Sequence, residues 1–395
     1  MAAGKSNKAV VIVFMSAGIL ACFAVGFVLM RGGGGEPETP AGTGPATAAA
    51  AEKAPPRVVY SADFTNPPGD EWNVHPPINY TPVGHRPNFG PFLTTDSPAL
   101  TVKELPAHKL LRVTCDFFIT MSWDGSSPIW GPTILDVSLD DDRRLLRATF
   151  CNCGFFSNNN EQTFPDNYPA SPYPAFTMAA ERQTLGNIQK FDNSQPDSAD
   201  VSSVYHLVFT FPHDQPQVVV NFKSDIHDGG HFKGYGIANM RIEAIPELPT
   251  FTESQFKQMW VDLGSGIPET YYKARWDLVS AGNAAVDYIA KHAEEKIDLS
   301  AAQMKALAAD IRSPDHDKSW AAFYQLKIQG PPAMSAMVPV LTGEVDEFFQ
   351  LAPSQIQRYP LTATQTRLDR AKWVLEAINT PEARALKRAL GQVGP

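Results

Sequence analysis

The common catalytic signatures are missing from this chain. There is no Gly-x-Ser-x-Gly nucleophile elbow, no Walker loop and no His-Glu-x-x-His pair. These absences exclude the α/β-hydrolase elbow, the P-loop phosphate cradle and the helical zinc-protease site. Cysteine is scarce too, at 4 of 395 residues, too few for a disulfide scaffold. Positive charge does not prevail. A net charge of −9 argues against a nucleic acid partner and against adhesion to anionic lipid.

Hydrophobic residues make up 43% of the chain and aromatics 10%, enough for sizeable cores. The length allows a multi-domain chain. Ala9 to Met30 carries neither charge nor proline. As a helix it would extend about 33 Å, sufficient for a hydrocarbon core of ~30 Å. Lys5 and Lys8 precede it and only Arg31 follows closely, so the positive charge favours a cytoplasmic N-terminus. The expectation is a transmembrane helix at 9–30 behind a cytoplasmic tail at 1–8. The bulk of the chain would then be extracytoplasmic, at a cell membrane. A cleaved signal peptide is one alternative. Ile19-Leu20-Ala21-Cys22 loosely matches a lipobox and gives another, with Cys22 lipidated, although apolar residues continue beyond it. Residues 31–57 read as a Gly/Pro/Ala-rich flexible linker.

From 58 to 246 the pattern is β. Leu111, Val113, Cys115, Phe117 and Ile119 alternate with outward residues, as in a half-buried strand. Leu135, Val137 and Leu139, then the polar turn Asp140 to Arg144, then Leu146, Ala148 and Phe150 predict a hairpin. Tyr205 to Phe211, Pro212 to Pro216 and Val218 to Phe222 predict a second. A last strand is expected from Gly236 to Ile245. With no long helical pattern between them, these strands imply an antiparallel β-sandwich.

From 247 to 395 the pattern is helical. Thr252 with Gln255, and Ser300 with Gln303, form capping boxes, and Thr380-Pro381 marks another helix start. Ala274-Arg-Trp276-Asp-Leu278, Ala322-Phe-Tyr324-Gln-Leu326 and Ala371-Lys-Trp373-Val-Leu375 align at offsets of about 48 and 49 residues. Gly282, Gly330 and Asn379 end the three copies. A helix-pair repeat of this period predicts a HEAT-like stack with Trp276, Tyr324 and Trp373 in its core.

The β region resembles concanavalin/laminin-G-like jelly-roll modules of planctomycete-type secreted and membrane-anchored proteins. The likeness rests on Leu111 to Thr120, Trp123-Asp124-Gly125, Leu135-Asp-Val, Thr149-Phe-Cys-Asn, Thr163 to Pro169, Tyr205 to Pro212 and Tyr235 to Glu243. The helical part is similar to HEAT-like repeats appended to sandwich proteins of the same bacteria. The resemblance implies a jelly roll followed by helical repeats. Where the family often has Asp in the last strand this chain has Ala238, which departs from its calcium-binding members.

Candidate sites follow from residue types. Trp123, Asp124 and Trp130 lie in a loop after a strand, where aromatics beside acids stack on sugars and hydrogen-bond to them. The alternative is that Trp123 plugs the core edge. Asp140 and Asp142 carry oxygens suited to calcium, or else form a solvated turn. His227 and His231 have the spacing of helical zinc ligands, but Gly229 and Gly230 oppose a helix and no glutamate lies between. Cys115 is expected to pair with Cys151 or Cys153 in an oxidising compartment. Glu243, Glu161, Asp166 and Asp136 are nominal carboxylates for glycoside hydrolysis. These features predict a membrane-anchored binding or scaffold protein with protein or glycan partners outside the cytoplasm. A carbohydrate-binding or carbohydrate-active jelly roll is the alternative. No cofactor is evident beyond calcium.

Overall fold

Strands fill the chain from Arg57 to Ile245, and helices follow from Glu253. The computed structural model describes residues 54–93, 96–127, 130–140, 142–152, 161–169, 173–189, 199–226, 233–293, 300–314, 318, 322–323, 325–326 and 363–392. In chain order the strands are β1 (Arg57–Ala62), β2 (Ile78–Tyr80), β3 (Pro87–Phe92), β4 (Ala99–Val102), β5 (Leu110–Ile119), β6 (Thr133–Leu139), β7 (Arg144–Thr149) and β8 (Glu161–Gln162). Then come β9 (Tyr173–Pro174), β10 (Glu181–Arg182), β11 (Ile188–Gln189), β12 (Ala199–Asp200), β13 (Ser203–Pro212), β14 (Val218–Ile226) and β15 (Tyr235–Ile245). The described helices are α1 (Glu253–Leu263), α2 (Pro268–Ser280), α3 (Asn283–His292), α4 (Ala301–Asp310), α5 (Ala363–Ile378) and α6 (Pro381–Gln392).

Two antiparallel sheets carry the β region. The larger has seven strands in the order β10-β13-β5-β15-β3-β2, with β1 also on β15, and the smaller has four in the order β4-β14-β6-β7. Leu111, Val113, Cys115, Phe117 and Ile119 of β5 all point inward and are buried. They share one core with Leu135 and Val137 of β6, Leu146 of β7 and Val218, Val220 and Phe222 of β14. Each such side chain contributes about 1.5–3 kcal/mol by leaving water.

The β6–β7 hairpin forms as expected, with Val137 opposite Leu146. The second expected hairpin does not. β13 pairs with β5 in the larger sheet, and β14 pairs with β4 and β6 in the smaller one. Pro212 to Pro216 is therefore a corner between sheets. Each strand buries its apolar set on the same core from opposite sides, which local alternation cannot distinguish from a hairpin.

The helices correct the expected fold class. They do not stack into a HEAT-like array but complete the core of the sheets. Among the described strands β13 has a partner on its outer side only at Ser203 and Val204. The outer edge of β7 is met by residues 163–168, where Phe164 N donates to Thr149 O at 3.2 Å and Tyr168 N to Arg147 O at 2.6 Å. Helix α2 lies over the β13 edge and reaches β7 at Leu145. Tyr272 Oη donates to Val208 O at 3.0 Å, and Arg275 Nη2 donates to Leu145 O at 2.8 Å. Trp276 packs edge-on against Phe209 at 5.3 Å. An exposed strand edge invites pairing with other chains, and covering it removes that hazard. The three aligned copies are not equivalent. Trp276 is buried against β13, Trp373 is half-buried beneath Lys387, and Tyr324 lies outside the described residues. The jelly-roll description is corrected as well, because sheets of seven and four strands replace the paired four-stranded sheets of that fold.

The membrane-anchored description is also corrected. No helix among the described residues is long and apolar enough to cross a membrane. Residues 9–30, on which that description and the cell-membrane location rested, lie outside the described residues together with the tail at 1–8. From Glu52 to Pro395 the chain clusters as one unit.

Candidate functional site

The loop that joins β5 to β6, residues 120–132, crosses one end of the two sheets. Its first part is tied to the core. Trp123 is fully buried, edge-on to Phe117 at 5.6 Å and to Tyr235 at 6.2 Å. Its Nε1 donates to Gly234 O at 3.2 Å. Its backbone N donates to Asn152 Oδ1 at 2.7 Å, and Asn152 Nδ2 in turn donates to Met121 O at 2.8 Å and to Val201 O. Trp123 is thus a support for the loop, out of reach of any ligand.

Backbone bonds then fold the loop back on itself. Gly125 N donates to Phe150 O at 3.0 Å, Ser126 N to Glu161 O at 2.7 Å, and Thr133 N to Gly125 O at 2.9 Å. Gly125 has φ +59°, and a Cβ there would lie 2.1 Å from Glu161 O, so glycine is required. Trp130 N donates to Ser127 Oγ at 3.3 Å. Its indole nevertheless stands out into solvent at 59% exposure. Most large aromatics among the described residues are sealed in the core. One held on a hydrogen-bonded loop with its ring outward is the arrangement that recognises sugar rings and protein side chains.

Asp124 lies at the base of this loop, bridged to Cys151 on the neighbouring segment. Its Oδ2 is 2.8 Å from Lys233 Nζ. The Lys233 side chain is only 3% exposed. The same ammonium donates to Trp130 O at 2.5 Å. Of the three expected ligand residues, the structure brings Asp124 and Trp130 together and places Trp123 behind them. Lys233 and Asn152 escaped the sequence reading. Lys233 has no motif around it, Asn152 closes the Thr149-Phe-Cys-Asn stretch without a role attached to it, and only the tertiary fold brings each to the loop.

The remaining candidates disperse. Asp140 and Asp142 flank the β6–β7 turn, where Asp142 has φ +63° and its N–H donates to Leu139 O at 3.2 Å. Among the described residues no group of three or more His, Cys, Asp or Glu side chains converges for a metal ion. His227, His231 and Cys153 lie outside the described residues. Cys115 is a free thiol sealed in the core, and burial pushes its pKa well up. The four nominal carboxylates also stand apart. Glu243 meets Arg112 and Arg241 on the outer face of the larger sheet. Asp136 meets Arg144 and Arg147 on the outer face of the smaller one. Asp166 is buried against Arg370, and Glu161 lies on β8. On the outer face of the larger sheet, Asp116 accepts from Asn239 Nδ2 at 2.7 Å and pairs with His206 Nδ1 at 2.9 Å. Among the described residues that dyad has no hydroxyl or thiol as a hydrogen-bond partner. Comparison with known protein families and with curated proteins finds no match for this chain.

Proposed function

We propose that this chain is a non-catalytic binding or scaffold protein that contacts its ligand through Trp130. The observation that carries the reading is an indole 59% exposed on a loop hydrogen-bonded at Gly125, Ser126 and Gly131. A backbone already held by hydrogen bonds loses little conformational freedom on binding, so more of the contact energy of its side chain appears as affinity. The dispersed carboxylates favour binding over hydrolysis, since a glycosidase needs two acids about 5–10 Å apart with a sugar between them. A carbohydrate ligand is the second reading, favoured by the fit between an indole face and the apolar face of a pyranose.

A glycan array and a pull-down, both with the unaltered chain and with Trp130→Ala, test this. The expected result is a glycan or protein ligand retained by the unaltered chain and lost from the variant. Retention by both, or by neither, would remove Trp130 as the contact.

A further inference from the structure

Lys233 is a buried lysine that the sequence does not flag, and its ammonium joins two parts of the loop. Asp124 precedes the loop's tight turn and Trp130 ends it. Lys233 Nζ is 2.8 Å from the carboxylate of the first and 2.5 Å from the carbonyl oxygen of the second. Burying an ammonium is costly unless it is paired and hydrogen-bonded, and here both conditions hold. Asp124 remains 18% exposed, so water can reach the carboxylate but hardly the ammonium. The pair is therefore asymmetric. Without Lys233, Asp124 can be hydrated where it stands, whereas the Trp130 carbonyl loses its charged donor.

Lys233 also precedes Gly234, whose carbonyl accepts from Trp123 Nε1 at 3.2 Å. One short segment thus grips the buried and the exposed tryptophan of the same loop. The buried grip belongs to the core and would persist on its own, since Trp123 is also held through Asn152 at 2.7 Å. The exposed end is held by the ammonium, by the bond from Gly131 N to Ser127 O at 3.1 Å, and by the bond from Trp130 N to Ser127 Oγ, which at 3.3 Å is long.

We infer that Lys233 is a positioning residue for Trp130: its ion pair with Asp124 latches the loop end and holds the exposed indole in one orientation. The inference rests on Trp130 as the binding contact, but its test needs no ligand. The full chain is labelled with 5-fluorotryptophan, and the Trp130 resonance is identified by its loss in Trp130→Phe. In the unaltered chain this resonance should be as broad as those of the buried tryptophans, since its ring tumbles with the protein. In Lys233→Met it should narrow at least two-fold and move towards the shift of free fluorotryptophan, while the Trp123 resonance stays in place. Lys233→Arg, which keeps the charge, should restore much of the breadth. If Lys233→Met does not fold, Lys233→Gln, which is shorter and uncharged but polar, should give the same narrowing.

A Trp130 line already narrow in the unaltered chain would overturn the inference. So would a line unchanged by either substitution, or Trp123 and Trp130 moving together, which would mean a general loss of structure. Absence of any ligand in the array, with the narrowing present, would sink the binding reading and leave the latch standing.

Discussion

Arg370 and Asp166 meet in the interior although 204 residues separate them in sequence. Arg370 Nε lies 3.1 Å from Asp166 Oδ1 and Nη2 lies 2.7 Å from Oδ2, a bidentate pair with both side chains under 5% exposed. The remaining donors are taken up as well. Nη1 reaches Leu263 O at 2.9 Å and Ser265 O at 2.6 Å, and Nη2 reaches Tyr173 Oη at 2.8 Å. One guanidinium therefore joins α5, the end of α1 and the loop between β8 and β9.

Removing either partner leaves a buried charge alone. Arg370→Met or Asp166→Ala should each lower stability by about 3–5 kcal/mol. Urea unfolding followed by circular dichroism measures this, and a loss under 1 kcal/mol would mean that the pair is not closed in solution.

Arg275 makes the contrasting case. It is fully buried, its Nη2 donates to Leu145 O, and its Nε and Nη1 find no acceptor among the described residues. A buried charge so poorly matched costs more than it contributes. Arg275→Met should therefore be neutral or up to ~3 kcal/mol stabilising in the same urea experiment. A loss as large as that of Arg370→Met would contradict the difference drawn between the two guanidiniums.

The shared core predicts cooperative unfolding. Trp276, Trp260 and Leu375 belong to the same apolar cluster as Phe117 and Phe209. Calorimetry should show sheets and helices melting in one transition. Separate transitions for residues 54–246 and 247–395 would restore two independent domains.

Buried phenols set an alkaline limit. Burial raises Tyr60 and Tyr272 from the ordinary 10.0 to about 12, and pushes Tyr205 and Tyr235 higher still. An unfolded chain loses these protons near pH 10 while the folded chain keeps them, so stability is intact below pH ~10 and falls as the pH rises towards 12. Absorbance at 295 nm should show these tyrosines ionising only with unfolding. Full ionisation of all tyrosines by pH 11 with the fold intact would refute it.

Much of the local structure was legible because its signals are local. The capping boxes at Thr252 with Gln255 and at Ser300 with Gln303 both form. Gly282 and Asn379 end their helices at positive φ, as their residue types suggest. Alternation located β5, β6, β7, β13, β14 and β15. The arrangement was less legible. Whether β13 turns back on itself or crosses to the other sheet depends on which neighbour completes its edge, and Tyr272 of α2 does so from 64 residues downstream. The repeated aromatic-Leu pattern reports one buried face per helix, and a face against a sheet reads the same as a face against another helix. At the candidate site Trp130 was legible as an aromatic in a loop. Its exposure, the burial of Trp123 and the grip of Lys233 were not, since all three depend on contacts with distant segments.

Trp130→Ala separates binding from stability at the exposed indole. With its indole largely in solvent, the variant should keep its stability to within ~0.5 kcal/mol, whereas Trp123→Ala should lose about 3–5 kcal/mol. The deciding measurement is the affinity of Trp130→Ala for whatever ligand the array or the pull-down returns. At least a tenfold loss with the fold unchanged is expected, and an unaltered affinity would show that Trp130 is not the contact.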